Sequence, residues 1–145
     1  MPERKNMEIK RFKPKIDKLF WFIWTPTSLL MIIATVLALF EPVALIIMLA
    51  TDAFTFYFIF SSLVGYVELR ESTLFIKFGF IIKREIPYNK IRRIEKACKL
   101  YSESMLSLKN AFEHVNIRYN SFDVVSVSVV ENDEFINELN RRMSN

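Results

Sequence analysis

Asp52 stands alone near the middle of an apolar run, residues 43–65, and no Lys or Arg lies between Lys18 and Arg70. At mid-bilayer an ionised carboxylate costs at least about 2.5 to 3.5 kcal/mol. It must therefore be protonated, paired or wet. One reading makes it a proton or ligand site. The other makes it a carboxyl hydrogen-bonded to a nearby hydroxyl, with Ser28, Thr35 and Thr51 as candidate partners. The second has fewer requirements, because two helices are too few to line a pathway.

Other reactive side chains are scarce. His114 is the only histidine and sits between Glu113 and Val115, a setting typical of a packed or surface residue. Cys98 is the only cysteine, so no intramolecular disulfide can form and a thiolate metal site would need other ligands. The serines have no partnering base for nucleophilic catalysis, and two glycines cannot build a phosphate-cradling loop. The expectation is no catalytic residue, no metal site and no cofactor.

Basic residues form the second candidate group. Residues 70–99 hold nine basic and three acidic side chains, whereas residues 100–145 hold four and seven. Each Lys or Arg near an anionic leaflet contributes on the order of 1 kcal/mol. Lys83, Arg84, Lys90, Arg92, Arg93 and Lys96 are thus expected to contact anionic lipid, although strand alternation could scatter them over two faces. Nucleic acid would attract the same charges, but no aromatic stacking motif accompanies them. No nucleic-acid partner is expected.

The elements that must position these groups begin with two uncharged stretches. Residues 19–40 carry no charge and residues 43–65 carry only Asp52. At about 1.5 Å per residue each can cross a hydrocarbon core of roughly 30 Å. Glu41 and Pro42 make a polar break that suits a tight turn and a new helix start. Pro26 frees a carbonyl one turn earlier and predicts a kink in the first helix.

Residues 1–18 carry a net charge of +4, residues 19–65 carry −2 and residues 66–145 carry +2. Basic residues are retained on the cytoplasmic side during insertion. Lys10, Arg11, Lys13, Lys15 and Lys18 before the first span, with Arg70 and Lys77 after the second, put both termini in the cytoplasm. Trp21 and Trp24 fall at the inner end of the first span. A cleaved signal peptide would need a shorter apolar stretch and no second span. The organisation expected is a basic segment at 1–18, a membrane hairpin at 19–65 and a cytoplasmic domain at 66–145.

Beyond residue 66 the apolar residues alternate, the pattern of strands with one covered face. Val67 and Leu69, then Leu74, Ile76 and Phe78, predict a hairpin about residues 70–73. Gly79 predicts the next turn, and residues 80–86 a third strand closed by Pro87. Residues 90–97 read as a strand, although their apolar spacing of three also suits a helix. Residues 99–106 read as a loop. Residues 111–119 and 122–130 form a further pair around Asn120 and Ser121. Phe135, Ile136, Leu139 and Met143 then recur on one helix face, with Asn132 as N-cap, acids in the first turn and Arg141 and Arg142 in the last. Strands closed by one amphipathic helix make an α+β domain.

This order of segments resembles the short bacterial pleckstrin-homology-like (PH-like) family of small membrane proteins, in which a two-helix hairpin precedes such a domain. The resemblance rests on Tyr66-Val67-Glu68-Leu69, Leu74-Phe75-Ile76-Lys77-Phe78-Gly79 and Ile86-Pro87-Tyr88-Asn89-Lys90-Ile91-Arg92-Arg93-Ile94. It continues through Ser104-Met105-Leu106-Ser107-Leu108, Asn116-Ile117-Arg118-Tyr119 and Val127-Ser128 ahead of Glu134-Phe135-Ile136. It departs at Val129 and Val130, where a proline and a basic residue are expected. The resemblance implies a small antiparallel sheet or partial barrel closed by a C-terminal helix.

Some proteins of similar layout are linked to self-protection against secreted antimicrobial peptides. Two functions follow as expectations. The first is a non-enzymatic, membrane-anchored binding module of the bacterial cell membrane, engaging a peptide toxin such as a bacteriocin, a lipid or a membrane partner protein. The second is a small transport or proton-coupled component that uses Asp52, with a homo-oligomer supplying the missing helices.

Overall fold

A computed structural model describes residues 8–99, 107–108 and 111–144. Strand β1 (Lys10–Phe12) leads into helix α1 (Lys18–Leu37), a single 3-10 turn (Ala38–Phe40) and helix α2 (Pro42–Val64). Pro42 opens α2 at its first position, and the Glu41 carbonyl accepts from the Leu45 N–H at 2.9 Å. A proline there gives up an N–H that has no partner inside the helix anyway. The first helix with its 3-10 turn, and α2, have mean hydropathies of 2.0 and 2.1. Each 23-residue stretch is long and apolar enough to cross a membrane. Almost none of this surface is packed inside the protein, unlike the core helix of a soluble fold.

The domain has two four-stranded sheets facing across one core. Strands β2 (Tyr66–Leu69), β3 (Thr73–Phe78) and β4 (Ile82–Pro87) extend β1 into an antiparallel sheet ordered β1-β2-β3-β4. The second sheet is ordered β5-β7-β8-β6, from β5 (Ile91–Cys98), β6 (Ser107–Leu108), β7 (Glu113–Tyr119) and β8 (Asp123–Val127). Among the described residues only the β6–β8 pairing is parallel. Val67, Leu69, Leu74 and Ile76 meet Val115, Ile117, Val125 and Val127 in the core. Helix α3 (Asn132–Met143) covers it with Phe135 and Leu139, both fully buried. Among the described residues the two sheets do not close on each other, so the domain is a partial barrel.

Several expectations are corrected in detail. The segment before α1 contributes a strand to the domain, with Lys10, Arg11 and Phe12 opposite Leu69, Glu68 and Val67. Phe12 packs its ring edge-on to Phe135, 5.3 Å between centroids. β4 starts at Ile82 because the turn from β3 takes up residues 79–81. β7 starts at Glu113 because the Phe112 N–H donates to Asp17 Oδ2 at 3.0 Å. β8 ends at Val127 because the chain beyond pairs with the α1 approach: Lys15 N–H donates to Ser128 O and Val130 N–H to Lys13 O. β6 falls just past the loop expected at 99–106, of which residues 100–106 lie outside the described part.

Asn132 does not cap α3. Glu131 holds that position, while Asn132 Oδ1 accepts from the Val129 N–H at 3.0 Å and its Nδ2 donates to Glu113 O at 3.4 Å. Both valine N–H groups at the departure from the resemblance are therefore used. A proline at either position would remove one.

Candidate membrane-facing surface

The domain is tied to both helix ends. β1 lies five residues before α1, β2 follows α2 after Gly65, and the two strands pair with each other. Asp17, immediately before α1, accepts from Phe112 in the second sheet. Lys15 Nζ reaches Glu113 Oε2 at 3.2 Å. The N-terminal strand and the domain therefore lie together on one side of the helical hairpin.

The six basic residues separate into three places. Lys83 sits directly opposite Lys77, one step behind the β3–β4 turn. Arg84 donates from Nε to the Tyr119 hydroxyl at 3.1 Å, bridging the two sheets. That bond raises the already high pKa of its guanidinium. Lys90, Arg92 and Arg93 gather near the β7–β8 turn, where Asn120 N–H donates to Lys90 O and Arg93 Nε lies 2.6 Å from Glu95. Arg92, Arg93 and Arg118 line a cleft of about 350 Å³ with Tyr119, Phe122 and Asp123.

Lys96 lies toward the opposite end of that sheet, since Ile91 is opposite Tyr119 and Cys98 is opposite Glu113. Its ammonium contacts Glu113 at 2.5 Å and Asp133 at 2.8 Å. Hydrogen bonds to Asp133 and then Glu113 push its pKa up. The Glu113 carboxyl is held below its usual range by Lys96 first and Lys15 second. These charges join the α1 approach, β7 and α3 to one another, and Lys96 is engaged within the protein.

The outer face of the first sheet carries a stack that the sequence did not announce. Tyr66 and Phe75 are neighbours at 6.2 Å, Arg11 lies 4.2 Å over Tyr66, and Arg70 lies 4.0 Å over Phe75. Glu68 accepts from Arg11 Nε at 2.8 Å and from Arg70 at 3.4 Å. Alternation places these residues on one face, but their pairing needs the β1–β2 register, which links positions 57 apart.

Inside the hairpin the Thr35 hydroxyl donates to Asp52 Oδ2 at 2.6 Å, joining α1 to α2. Thr35 was one of the three hydroxyls expected. Thr51 instead donates to Ile47 O within α2. Asp52 Oδ1 is buried with no hydrogen-bond partner among the described residues.

His114 is fully buried, and its Nδ1–H donates to Phe112 O at 3.0 Å, which makes it a packed histidine. Cys98 is a free, exposed thiol. Among the described residues no three His, Cys, Asp or Glu side chains are placed to hold a metal ion.

Comparison with curated proteins and with solved structures finds no match. The family model described as bacterial PH domain matches residues 65–143, from Gly65 just after α2 to the end of α3. Two sheets over one core with a C-terminal covering helix are the architecture that resemblance implied, and this chain belongs to the bacterial PH domain family.

Proposed function

We propose that the chain is a membrane-anchored binding module without enzymatic chemistry. In this reading α1 and α2 cross the bacterial cell membrane as antiparallel spans, both termini are cytoplasmic, and the PH-like domain is held at the anionic inner leaflet. The observation that carries it is the attachment of the domain to both ends of the helical hairpin, through β1–β2 pairing and the Asp17–Phe112 bond. A domain fastened at two points keeps one orientation to the bilayer, which suits recognition of something at or in that surface. The basic flanks supply the orientation.

The exposed thiol of Cys98 provides the test. A membrane-impermeant maleimide should label Cys98 in inside-out vesicles and not in intact cells. A cysteine replacing Glu41 in a Cys98→Ser background should show the reverse. Labelling of Cys98 from outside intact cells overturns the orientation, and recovery of the chain in the soluble fraction overturns the anchoring.

The ligand class we assign is a membrane-active peptide, on the likeness of layout to proteins linked to peptide self-protection. A host expressing the chain should resist a peptide of that kind. Unchanged sensitivity across a panel of such peptides removes the assignment. The second reading, a proton-coupled component, draws on the buried, unpartnered Oδ1 of Asp52. Asp52→Asn separates the two: retained resistance with normal insertion supports the module, and its loss supports a working carboxyl.

A further inference from the structure

We propose that the β3–β4 turn is a second membrane-insertion element, in which Phe80, Ile81 and Ile82 enter the headgroup–acyl boundary of the leaflet through which α2 leaves the bilayer. Lys77 and Lys83 then stand at the depth of the lipid phosphates. The inference rests on the anchored reading above and adds a contact that the spans alone do not require.

Gly79 fixes where the turn lies. Its φ is +67°, and a Cβ there would fall 1.4 Å from the Ser61 hydroxyl on α2. The turn backbone is thus in direct contact with the last turns of the helix. Phe80 continues that contact, with its ring 6.0 Å from Tyr57. Tyr57 in turn meets Phe58 edge-on at 5.9 Å, and Phe58 meets Phe54 edge-on at 4.8 Å. An unbroken aromatic path runs from the apolar surface of α2 to the tip of the domain hairpin.

Tyr57 lies seven residues before Val64, so the tip reaches back about 10 Å along α2 from its end. Interfacial elements bury their apolar side chains about 5 to 10 Å into the headgroup–acyl boundary. The depths agree. Ile81 is 72% exposed, Ile82 50% and Phe80 48%, so about half or more of each side chain in this apolar triplet is left uncovered by the protein itself. A bilayer around α2 would supply the missing cover.

The flanking charges fit the same placement. Lys77 and Lys83 are direct cross-strand partners, and like charges so placed repel each other. The Lys77 ammonium also lies 5.6 Å from the Tyr66 ring. An anionic headgroup between the two ammonium groups relieves that repulsion, and the apolar triplet below them takes the acyl side. Phe122 gives the contrast. It is 96% exposed on the β7–β8 turn, at the opposite end of the second sheet from the Phe112–Asp17 tie to α1.

The test uses the full chain in a Cys98→Ser background, with single cysteines at Leu49, Ile81 or Phe122 carrying an environment-sensitive fluorophore. The proteins are reconstituted in phosphatidylcholine–phosphatidylglycerol vesicles containing acyl-chain spin-labelled lipid. Labels at 49 and 81 should be quenched several-fold more than the label at 122. Quenching at 49 with a label at 81 no more quenched than that at 122 overturns the insertion and leaves the anchor standing. Absence of quenching at 49 overturns both. Lys77→Gln with Lys83→Gln should move the label at 81 toward water, and an unchanged signal overturns the role of the two ammonium groups.

Discussion

Arg142 is buried in the last turn of α3, where its guanidinium donates to three backbone carbonyls: Leu69 at 2.9 Å, Arg70 at 3.0 Å and Glu8 at 2.7 Å. Its Nε donates to Glu138 Oε1 at 2.8 Å, so the charge is paired as well as hydrogen-bonded. Arg142→Met should leave those carbonyls without their donor and Glu138 with Arg141 alone, at a cost of roughly 1–3 kcal/mol for each buried carbonyl that finds no other donor. Thermal unfolding of the detergent-solubilised chain reads this directly. Arg142→Lys should recover little, because an ammonium lacks the planar fork that serves several acceptors at once. The arginine itself is plain in the sequence, as a cation at a helix C-terminus. Its burial is not, since that depends on carbonyls some 70 and 134 positions away. Gly79 divides the same way: a turn glycine is legible from the strands around it, whereas Ser61 as its neighbour is not. Gly79→Ala should destabilise the domain by more than the roughly 1–2 kcal/mol of a left-handed backbone alone. Ser61→Gly in the same chain should restore part of that loss by removing the clashing hydroxyl.

Elements whose signal is local were readable and those defined by long-range pairing were not. The two apolar helices are written as uncharged runs with Pro42 between them, and α3 as a helical apolar stripe. Strand β1 is only Lys-Arg-Phe, too short to display alternation, and becomes a strand because β2 offers an open edge. The ion cluster of Lys15, Glu113, Lys96 and Asp133 has the same origin, since it joins the α1 approach, β7, β5 and α3. Its pH dependence follows from its partners. The Glu113 pKa is lowered in the folded state, so its contribution is present above the ordinary glutamate value, about 4.3, and is lost as pH falls through the folded value. The Lys96 pKa is raised, so its contribution is present below the ordinary lysine value, about 10.4, and is lost as pH rises through the folded one. Thermal stability should therefore hold a plateau between these limits and fall on the acid side. Glu113→Gln should flatten the acid limb without abolishing it, because Glu138 is also held low by Arg142. Melting temperatures measured from pH 3 to 8 check this; an acid limb identical in both chains contradicts it.

At the scale of the whole molecule, the helical hairpin is inserted between β1 and the rest of its own sheet. β1 pairs with β2 only when α1 and α2 run back along each other and return the chain to its starting level. The Thr35–Asp52 bond across the hairpin favours that closure. Hairpin formation and completion of the domain are thus linked, because each brings together the ends that the other needs. A fragment of residues 66–145 contains the residues of seven strands and α3 but lacks Phe12, which packs on Phe135, and the Lys15 and Asp17 ties. Losing a buried Phe alone costs about 3–5 kcal/mol, a large share of the stability of a small domain. The fragment should therefore melt well below the full chain and expose the β2 edge, with slow association as the consequence of an open strand. A synthetic peptide of residues 8–18 added in trans should raise its melting temperature in a concentration-dependent way, as expected of a ligand that binds only the folded form. The same peptide with Phe12→Ala should have a much weaker effect, because the β1 ladder would remain while its one buried side chain is gone. A fragment as stable as the full chain, or indifferent to the peptide, would show that hairpin and domain fold independently.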